Sequence, residues 1–203
     1  MFYVAKPMFV AIVILVKGLI IALLLSFNLP LIAQQQEPDE ELKQQLRLAI
    51  ADADQFEDKY AAQVWLTDMS SRLANRAPHI PKTERLTLLA LVHKEATRNN
   101  LNPQVVLSLI QVESNFDRYA LSKVGARGLM QVMPFWMASI GKENDNLFDI
   151  ATNLRYGCAI LSIYMKREKK EIIQALARYH GSYPKDYYSR KVVKAWQSNW
   201  LYY

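Results

Sequence analysis

One glutamate in this sequence occupies a position from which a carboxyl group could transfer protons. Val106, Leu109 and Ile110 recur at helical spacing, and Glu113 follows them by seven, four and three residues on the same apolar face. A carboxyl group there is partly removed from water and meets the negative end of the helix dipole, and both effects raise its pKa. Glu113 is therefore a candidate general acid near neutral pH, unless it turns to solvent or pairs with an arginine.

The helix that must position Glu113 has a clear start signal. Asn102 is a good N-cap residue, and Pro103 suits the first helical position. The spacing predicts a helix over 103–114 that ends with Glu113 in its last turn. Asp117 follows outside this helix, and we interpret it as a capping or loop residue rather than as a second catalytic carboxylate.

Helical periodicity continues through the rest of the chain and predicts an all-α fold. Apolar residues recur at i, i+3 and i+4 in five further segments, which are 83–98, 129–139, 149–170, 171–180 and 185–199. Residues 38–77 predict one or two more helices, with a break near 68–71. A short hairpin near 119–127 remains an alternative at that point.

The charge of the chain is unevenly distributed over three segments. Residues 1–33 carry +2, residues 34–80 carry −4 and residues 81–203 carry +8, for a net charge of +6. Pro78 and Pro81 mark the boundary at which the sign changes. The basic segment favours an anionic partner such as nucleic acid, a membrane face or an acidic cell-wall polymer, unless its lysines only solvate the surface.

The first 33 residues have the composition of a targeting segment. Gly18 to Gln36 contains no charge, and Lys6 and Lys17 supply the positive flank of a signal peptide, with Ala33 expected before the cleavage site. An uncleaved membrane anchor is the alternative, because about 20 apolar residues can span a bilayer. Both alternatives place the following residues outside the cytoplasm, in the periplasm or cell envelope, and neither fits a nucleic-acid binder.

Three ordered motifs in the second half of the chain resemble those of the soluble lytic transglycosylase (SLT) family. They are Glu113-Ser114-Asn115-Phe116 with Ala120-Leu121-Ser122, then Gly125-Ala126-Arg127-Gly128-Leu129-Met130-Gln131-Val132-Met133-Pro134, and finally Ala175-Leu176-Ala177-Arg178-Tyr179-His180-Gly181, preceded by Asn153 and Gly157. The resemblance extends over residues 84–200, and the combination is far more specific than any single motif.

The resemblance implies an all-α, lysozyme-like catalytic domain over 81–203, preceded by a helical segment (34–80) and the targeting segment. It implies cleavage of the β-1,4 bond between N-acetylmuramic acid and N-acetylglucosamine in peptidoglycan glycan strands, leaving 1,6-anhydro ends without added water. Glu113 matches the family's acid/base. Five residues match positions that bind sugar or orient this glutamate, and they are Ser114, Ser122, Gln131, Met133 and Tyr179. His180 departs from the family, which usually has Asn there.

A single carboxyl group suffices for this implied reaction. Ordinary glycosidases use two carboxylates that flank the bond, whereas the muramic N-acetyl group can stabilise the sugar cation itself. Glu113 would then act first as acid and later as base. A hydrolytic muramidase and a non-catalytic, peptidoglycan-binding scaffold of an envelope machine remain the alternatives, and the intact Glu113 argues against the scaffold.

The remaining reactive side chains predict no metal site and no cofactor. His79, His93 and His180 are scattered without metal-ligand spacing. Cys158 is the one cysteine, so no disulfide can form within the chain, and its apolar neighbours predict a buried small hydrophobic residue.

Overall fold

A computed structural model of the chain describes residue 40 and residues 59–201, and of 59–63 it describes only the backbone. Seven α-helices follow one another in this range, and they are α1 (Lys59–Arg76), α2 (Lys82–Arg98), α3 (Pro103–Glu113), α4 (Phe135–Ile140), α5 (Ile150–Arg167), α6 (Ile172–His180) and α7 (Tyr187–Ala195), which continues as a π-helix (Trp196–Trp200). The all-α prediction is confirmed. The targeting segment 1–33 and most of segment 34–80 lie outside the described residues.

Helix α1 runs without interruption through residues 68–71, so the predicted break there is wrong. Its buried residues Trp65, Met69 and Leu73 recur every four positions and form one continuous stripe. Asp68 does not end the helix, because its carboxylate pairs with Arg72 one turn later at 2.8 Å. Burial of the apolar stripe therefore outweighs the polar composition that suggested a break.

Helix α3 lies in the middle of the domain and packs against α2, α7 and the π-helix. Its start is as predicted, because the Asn102 side chain accepts a hydrogen bond from the Gln104 N–H at 2.8 Å and Pro103 is the first helical residue. Six consecutive residues from Val105 to Ile110 are buried. This burial fixes the helix end that carries Glu113.

The predicted helix over 129–139 is wrong in its first half, since only α4 is helical there. Arg127 and Val132 exchange two backbone hydrogen bonds of 3.0 Å, and Gln131 has a φ of +49°. Leu121 also pairs with Arg127 in an antiparallel bridge, which favours the hairpin alternative. The apolar residues of this segment are buried in a folded loop. Their spacing resembled that of a helix, but here it reflects burial alone.

No helix between residues 59 and 200 combines the length and the apolar composition needed to cross a bilayer.

Candidate active site

Residues 114–134 form a long loop between α3 and α4, which we call the site loop. Three side chains from the predicted site donate hydrogen bonds to its backbone carbonyls. The Ser114 hydroxyl donates to the Leu129 carbonyl at 2.8 Å, and the Tyr179 hydroxyl donates to the Met130 carbonyl at 2.8 Å. The Gln131 amide donates to the carbonyls of Gly128 and Ala120 at 3.0 and 3.1 Å. The structure therefore brings these residues together around one short stretch of backbone.

Asn153, on the first turn of α5, holds the same stretch from the other side. Its side-chain oxygen accepts from the Met130 N–H at 2.8 Å, and its amide donates to the carbonyls of Arg127 and Leu147, each at 2.8 Å. Gly128 has a φ of +74°, and a Cβ there would lie 2.5 Å from the Asn153 side-chain nitrogen. Only glycine fits this approach, which explains why the motif has glycine at this position.

Glu113 is the last residue of α3 and is partly buried. The Tyr188 hydroxyl, from the first turn of α7, donates a hydrogen bond to Glu113 Oε1. Burial raises the pKa of Glu113 from 4.5 to about 7, and the Tyr188 hydrogen bond lowers it by a smaller amount. The burial effect expected from the sequence is confirmed, and it brings the pKa of Glu113 close to neutral pH.

The two carboxyl oxygens of Glu113 differ in their hydrogen bonds. Within the described range, no donor forms a hydrogen bond with Glu113 Oε2. No neighbouring carboxylate contributes to the raised pKa. Asp117 is exposed and its Oδ1 accepts from the Tyr119 N–H at 2.8 Å, so it is a loop residue as the sequence indicated. Among the described residues, the site thus contains one carboxyl group, of which one oxygen accepts from Tyr188 and the other has no hydrogen-bond donor.

Tyr188 is the site residue that sequence reasoning missed. It lies 75 residues from Glu113 in the chain, and no local pattern links the two. One signal was present, because Tyr188, Val192 and Ala195 share the buried face of α7. A buried phenol normally requires a hydrogen-bond partner, and so does a buried carboxyl group such as that of Glu113.

The other predicted site residues occupy different surroundings. Tyr179 is fully buried, and its hydroxyl contacts the Met130 carbonyl rather than Glu113. Met133 is 7% exposed. The Ser122 Oγ accepts from the Ala126 N–H at 2.9 Å and so stabilises the turn that precedes Gly128. His180 stacks on Tyr188, next to Glu113.

The described residues offer no group of three His, Cys, Asp or Glu side chains that could hold a metal ion. Cys158 is completely buried in α5, in agreement with its interpretation as a small core residue.

Known proteins resemble part of this chain. A transglycosylase of Enterobacteria phage PRD1 is 38% identical over 82 residues, which are 40% of this chain and 30% of the phage protein. The membrane-bound lytic murein transglycosylase C of Yersinia pestis is 36% identical over 105 residues, 46% of this chain and 28% of that protein. The chain thus spans less than a third of the length of these curated relatives.

A solved structure of an inactive mutant of the lytic transglycosylase Slt from Pseudomonas aeruginosa aligns with 88% of this chain and 37% of that chain, at a TM-score of 0.42 and 16% identity. The sequence model of the transglycosylase SLT domain matches residues 90–191, half of the chain. That range contains Glu113, the site loop, Asn153 and Tyr188. The chain therefore belongs to the transglycosylase SLT domain family and has its lysozyme-like, all-α fold.

Proposed function

We propose that this protein is a lytic transglycosylase that cleaves the β-1,4 bond between N-acetylmuramic acid and N-acetylglucosamine in peptidoglycan, with Glu113 as the single acid/base. The observation that carries the proposal is the state of this one carboxyl group. Its pKa is about 7, Tyr188 donates a hydrogen bond to one of its oxygens, and the other oxygen has no donor among the described residues. Such a group is populated in both protonation states at neutral pH, as alternating acid and base roles require.

The first step uses the protonated form of Glu113. Its proton passes from the carboxyl group to the glycosidic oxygen as the bond between that oxygen and C1 of the muramic sugar breaks. The departing N-acetylglucosamine then leaves as an alcohol rather than as an alkoxide. The muramic N-acetyl group stabilises the positive charge that develops at C1, so no carboxylate nucleophile is needed.

The second step uses the carboxylate that remains. Glu113 takes the proton from the C6 hydroxyl of the same muramic sugar while O6 forms a bond to C1. This closes the 1,6-anhydro ring, returns the proton to Glu113 and consumes no water. The Tyr188 hydroxyl stabilises the carboxylate between the two steps, because a hydrogen bond to the charged form favours it. Burial keeps the Tyr188 phenol protonated by raising its pKa, so it remains a donor.

The absence of a second carboxylate beside Glu113 in the described residues supports this chemistry over that of a two-carboxylate hydrolase. The site loop is the proposed sugar-binding surface, and it includes Ser114, Ser122, Gln131 and Met133. Tyr179 supports the loop from below through Met130. These residues would fix the glycan so that the scissile oxygen meets Glu113 Oε2.

We place the activity in the cell envelope or periplasm, with the first 33 residues as signal peptide or membrane anchor. The apolar run and its two flanking lysines support this location, and so does the printed name of the Yersinia pestis relative, which is membrane-bound. Peptidoglycan glycan strands are the proposed partner, and the chemistry requires no cofactor.

The test is product mass spectrometry after digestion of purified peptidoglycan. We expect fragments that end in 1,6-anhydro-N-acetylmuramic acid and lack the mass of one water. Fragments with reducing ends and solvent-derived ¹⁸O would instead establish a muramidase. Absence of any cleavage, with saturable binding to the peptidoglycan, would establish the non-catalytic scaffold.

A further inference from the structure

The imidazole of His180 lies flat against the ring of Tyr188. The two ring centroids are 4.0 Å apart, and the planes differ by 11°. Tyr187 meets the same imidazole edge-on, with centroids 6.0 Å apart and planes at 89°. These contacts join the last residue of α6 to the first turn of α7, where Tyr188 donates its hydrogen bond to Glu113.

The backbone fixes the place of His180 firmly. Gly181 follows it with a φ of +81° and ends α6. The Ser182 N–H then donates to the Ala177 carbonyl at 2.8 Å, which satisfies an end carbonyl of the helix. The imidazole therefore projects from a helix end whose path is set by hydrogen bonds, and it can act as a fixed surface for its neighbour.

The phenol of Tyr188 needs such a surface. Its ring is buried, and its only hydrogen bond in the described residues joins it to Glu113. Rotation about the side-chain torsions would move the hydroxyl away from the carboxyl group. A flat ring stacked on the phenol opposes that rotation, because close-packed aromatic pairs keep defined geometries.

We infer that His180 is a positioning residue: by stacking on Tyr188, it holds the Tyr188 hydroxyl on the carboxyl group of Glu113. This inference rests on the proposed function of Glu113 and extends it to a third residue, one that touches neither the carboxyl group nor, in the proposed reaction, the substrate.

The ring of His180 contacts Tyr188 by packing. His180 Nδ1 is buried and has no hydrogen-bond partner among residues 64–201. Burial, and to a smaller extent the charge of Lys191, lowers the pKa of His180 and so favours the neutral ring. A neutral ring stacks on Tyr188 without adding a cation that would favour the carboxylate of Glu113. Besides Lys191, which acts on His180, the titratable groups coupled to Glu113 here are Tyr179 and Tyr188, and the π-helix Trp196–Trp200 carries none.

This mechanism predicts a difference between two substitutions at one position. His180→Phe keeps a flat ring and removes both nitrogens, whereas His180→Leu keeps the apolar volume and removes the flat ring. A packing role requires the phenylalanine variant to behave like the wild type. A role of the imidazole in proton transfer or hydrogen bonding would require both variants to fail together.

The first experiment measures the pKa of Glu113 directly, by NMR titration of full-length protein carrying ¹³C-labelled glutamate, with Glu113→Gln used to assign the signal. We expect the pKa to rise above its wild-type value in His180→Leu and in Tyr188→Phe, because the Tyr188 hydrogen bond lowers it. His180→Phe and the exposed control His79→Leu should keep the wild-type value. An unchanged pKa in His180→Leu overturns the inference, even if its melting temperature falls.

The second experiment measures turnover in a double-mutant cycle. We expect His180→Leu to lower kcat roughly fivefold with KM unchanged, as for the loss of one hydrogen bond. His180→Phe should keep the wild-type kcat. In the Tyr188→Phe background, His180→Leu should have no further effect, because the hydroxyl it positions is absent. An equal loss in both backgrounds overturns the inference. A fully active Glu113→Gln would instead overturn the proposed function, and the titration would still decide the role of His180.

Discussion

Asn153 and Met130 are joined by a hydrogen bond of 2.8 Å from the Met130 N–H to the side-chain oxygen of Asn153, 23 residues away in the chain. The carbonyl of the same Met130 accepts from Tyr179. Both backbone groups of one residue in the site loop are therefore satisfied by side chains from two different helices. The loop backbone depends on those two side chains for its shape.

The first prediction follows from this arrangement. Asn153→Ala removes three hydrogen bonds and leaves buried backbone groups of Met130 and Leu147 without partners. Each such group costs about 1–3 kcal/mol, so we expect the free energy of unfolding to fall by at least ~2 kcal/mol. Chemical denaturation monitored by circular dichroism measures this. Asn146→Ala is the control, since Asn146 is exposed and accepts one hydrogen bond from Phe148. Equal losses in the two variants would contradict the role of Asn153.

The second prediction concerns turnover. Glu113→Gln keeps the shape of the side chain but can neither donate nor accept the transferred proton. We expect kcat to fall by at least ~10²–10⁴-fold, the usual contribution of general acid–base catalysis, with an unchanged circular dichroism spectrum. Release of soluble fragments from peptidoglycan measures the rate. Glu143→Gln, at an exposed position, should leave it unchanged. Activity of Glu113→Gln within a few-fold of the wild type would exclude Glu113 as acid/base.

The third prediction is the pH dependence of stability. The pKa of Glu113 is about 7 in the folded protein, against an ordinary value of 4.5, so the folded state holds this proton more tightly. The associated stability is fully present below pH 4.5 and is lost as the pH rises through 7. Glu113→Gln removes the titration, so we expect it to exceed the wild type in stability at pH 8, by at most about 3 kcal/mol, and to match it at pH 4. If the difference in free energy of unfolding between Glu113→Gln and the wild type were the same at pH 4 and pH 8, the pKa of Glu113 would not be raised in the folded protein.

The fourth prediction separates the two tyrosines near Glu113. From the sequence we expected the Tyr179 hydroxyl to orient Glu113 or the substrate, but it donates to the Met130 carbonyl instead. Tyr179→Phe should therefore lower the free energy of unfolding by about 1 kcal/mol or more, and alter the rate chiefly through the loop. Tyr188→Phe should alter the pKa of Glu113 directly. Calorimetry and pH–rate profiles of both variants check this, and a shifted pKa of Glu113 in Tyr179→Phe alone would reverse the assignment.

The fifth prediction concerns the basic charge of residues 81–203. This segment carries +8, and peptidoglycan has free peptide carboxylates. Exposed lysines should raise the encounter rate through an attraction that salt screens over ~10 Å at 0.1 M. We expect kcat/KM on intact cell wall to fall as salt rises while kcat changes little, and a short uncharged glycan to show almost no effect. The same salt dependence on both substrates would reduce the lysines to a solubilising role.

Local signals in the sequence were sufficient for the helix that carries Glu113. Asn102 and Pro103 gave its start, and the apolar face through Ile110 gave the burial that raises the pKa. Each of these effects acts within a few residues, so a pattern of spacing can capture it. The same is true of Cys158 and of Asp117.

Long-range contacts were beyond such patterns. The site loop is not helical over residues 129–133, although its apolar residues suggested a helix, because Asn153, Ser114 and Tyr179 bind its backbone in another path. Tyr188 was missed for the same reason, since its partner lies 75 residues away. In both cases tertiary hydrogen bonds outweighed local preference, and nothing near the residue in sequence records them.

Glu113, Tyr188 and His180 come from three different helices, α3, α7 and α6, and only the packing of these helices brings the three side chains together. The acidity of Glu113 is thus a property of the assembled domain and not of any one segment. In a compact state that kept its helices but lost its side-chain packing, Glu113 would again ionise as an ordinary solvated carboxyl group. Far-ultraviolet circular dichroism would not register that change, whereas the proton affinity of this one side chain would, so its titration can serve as an internal gauge of native packing.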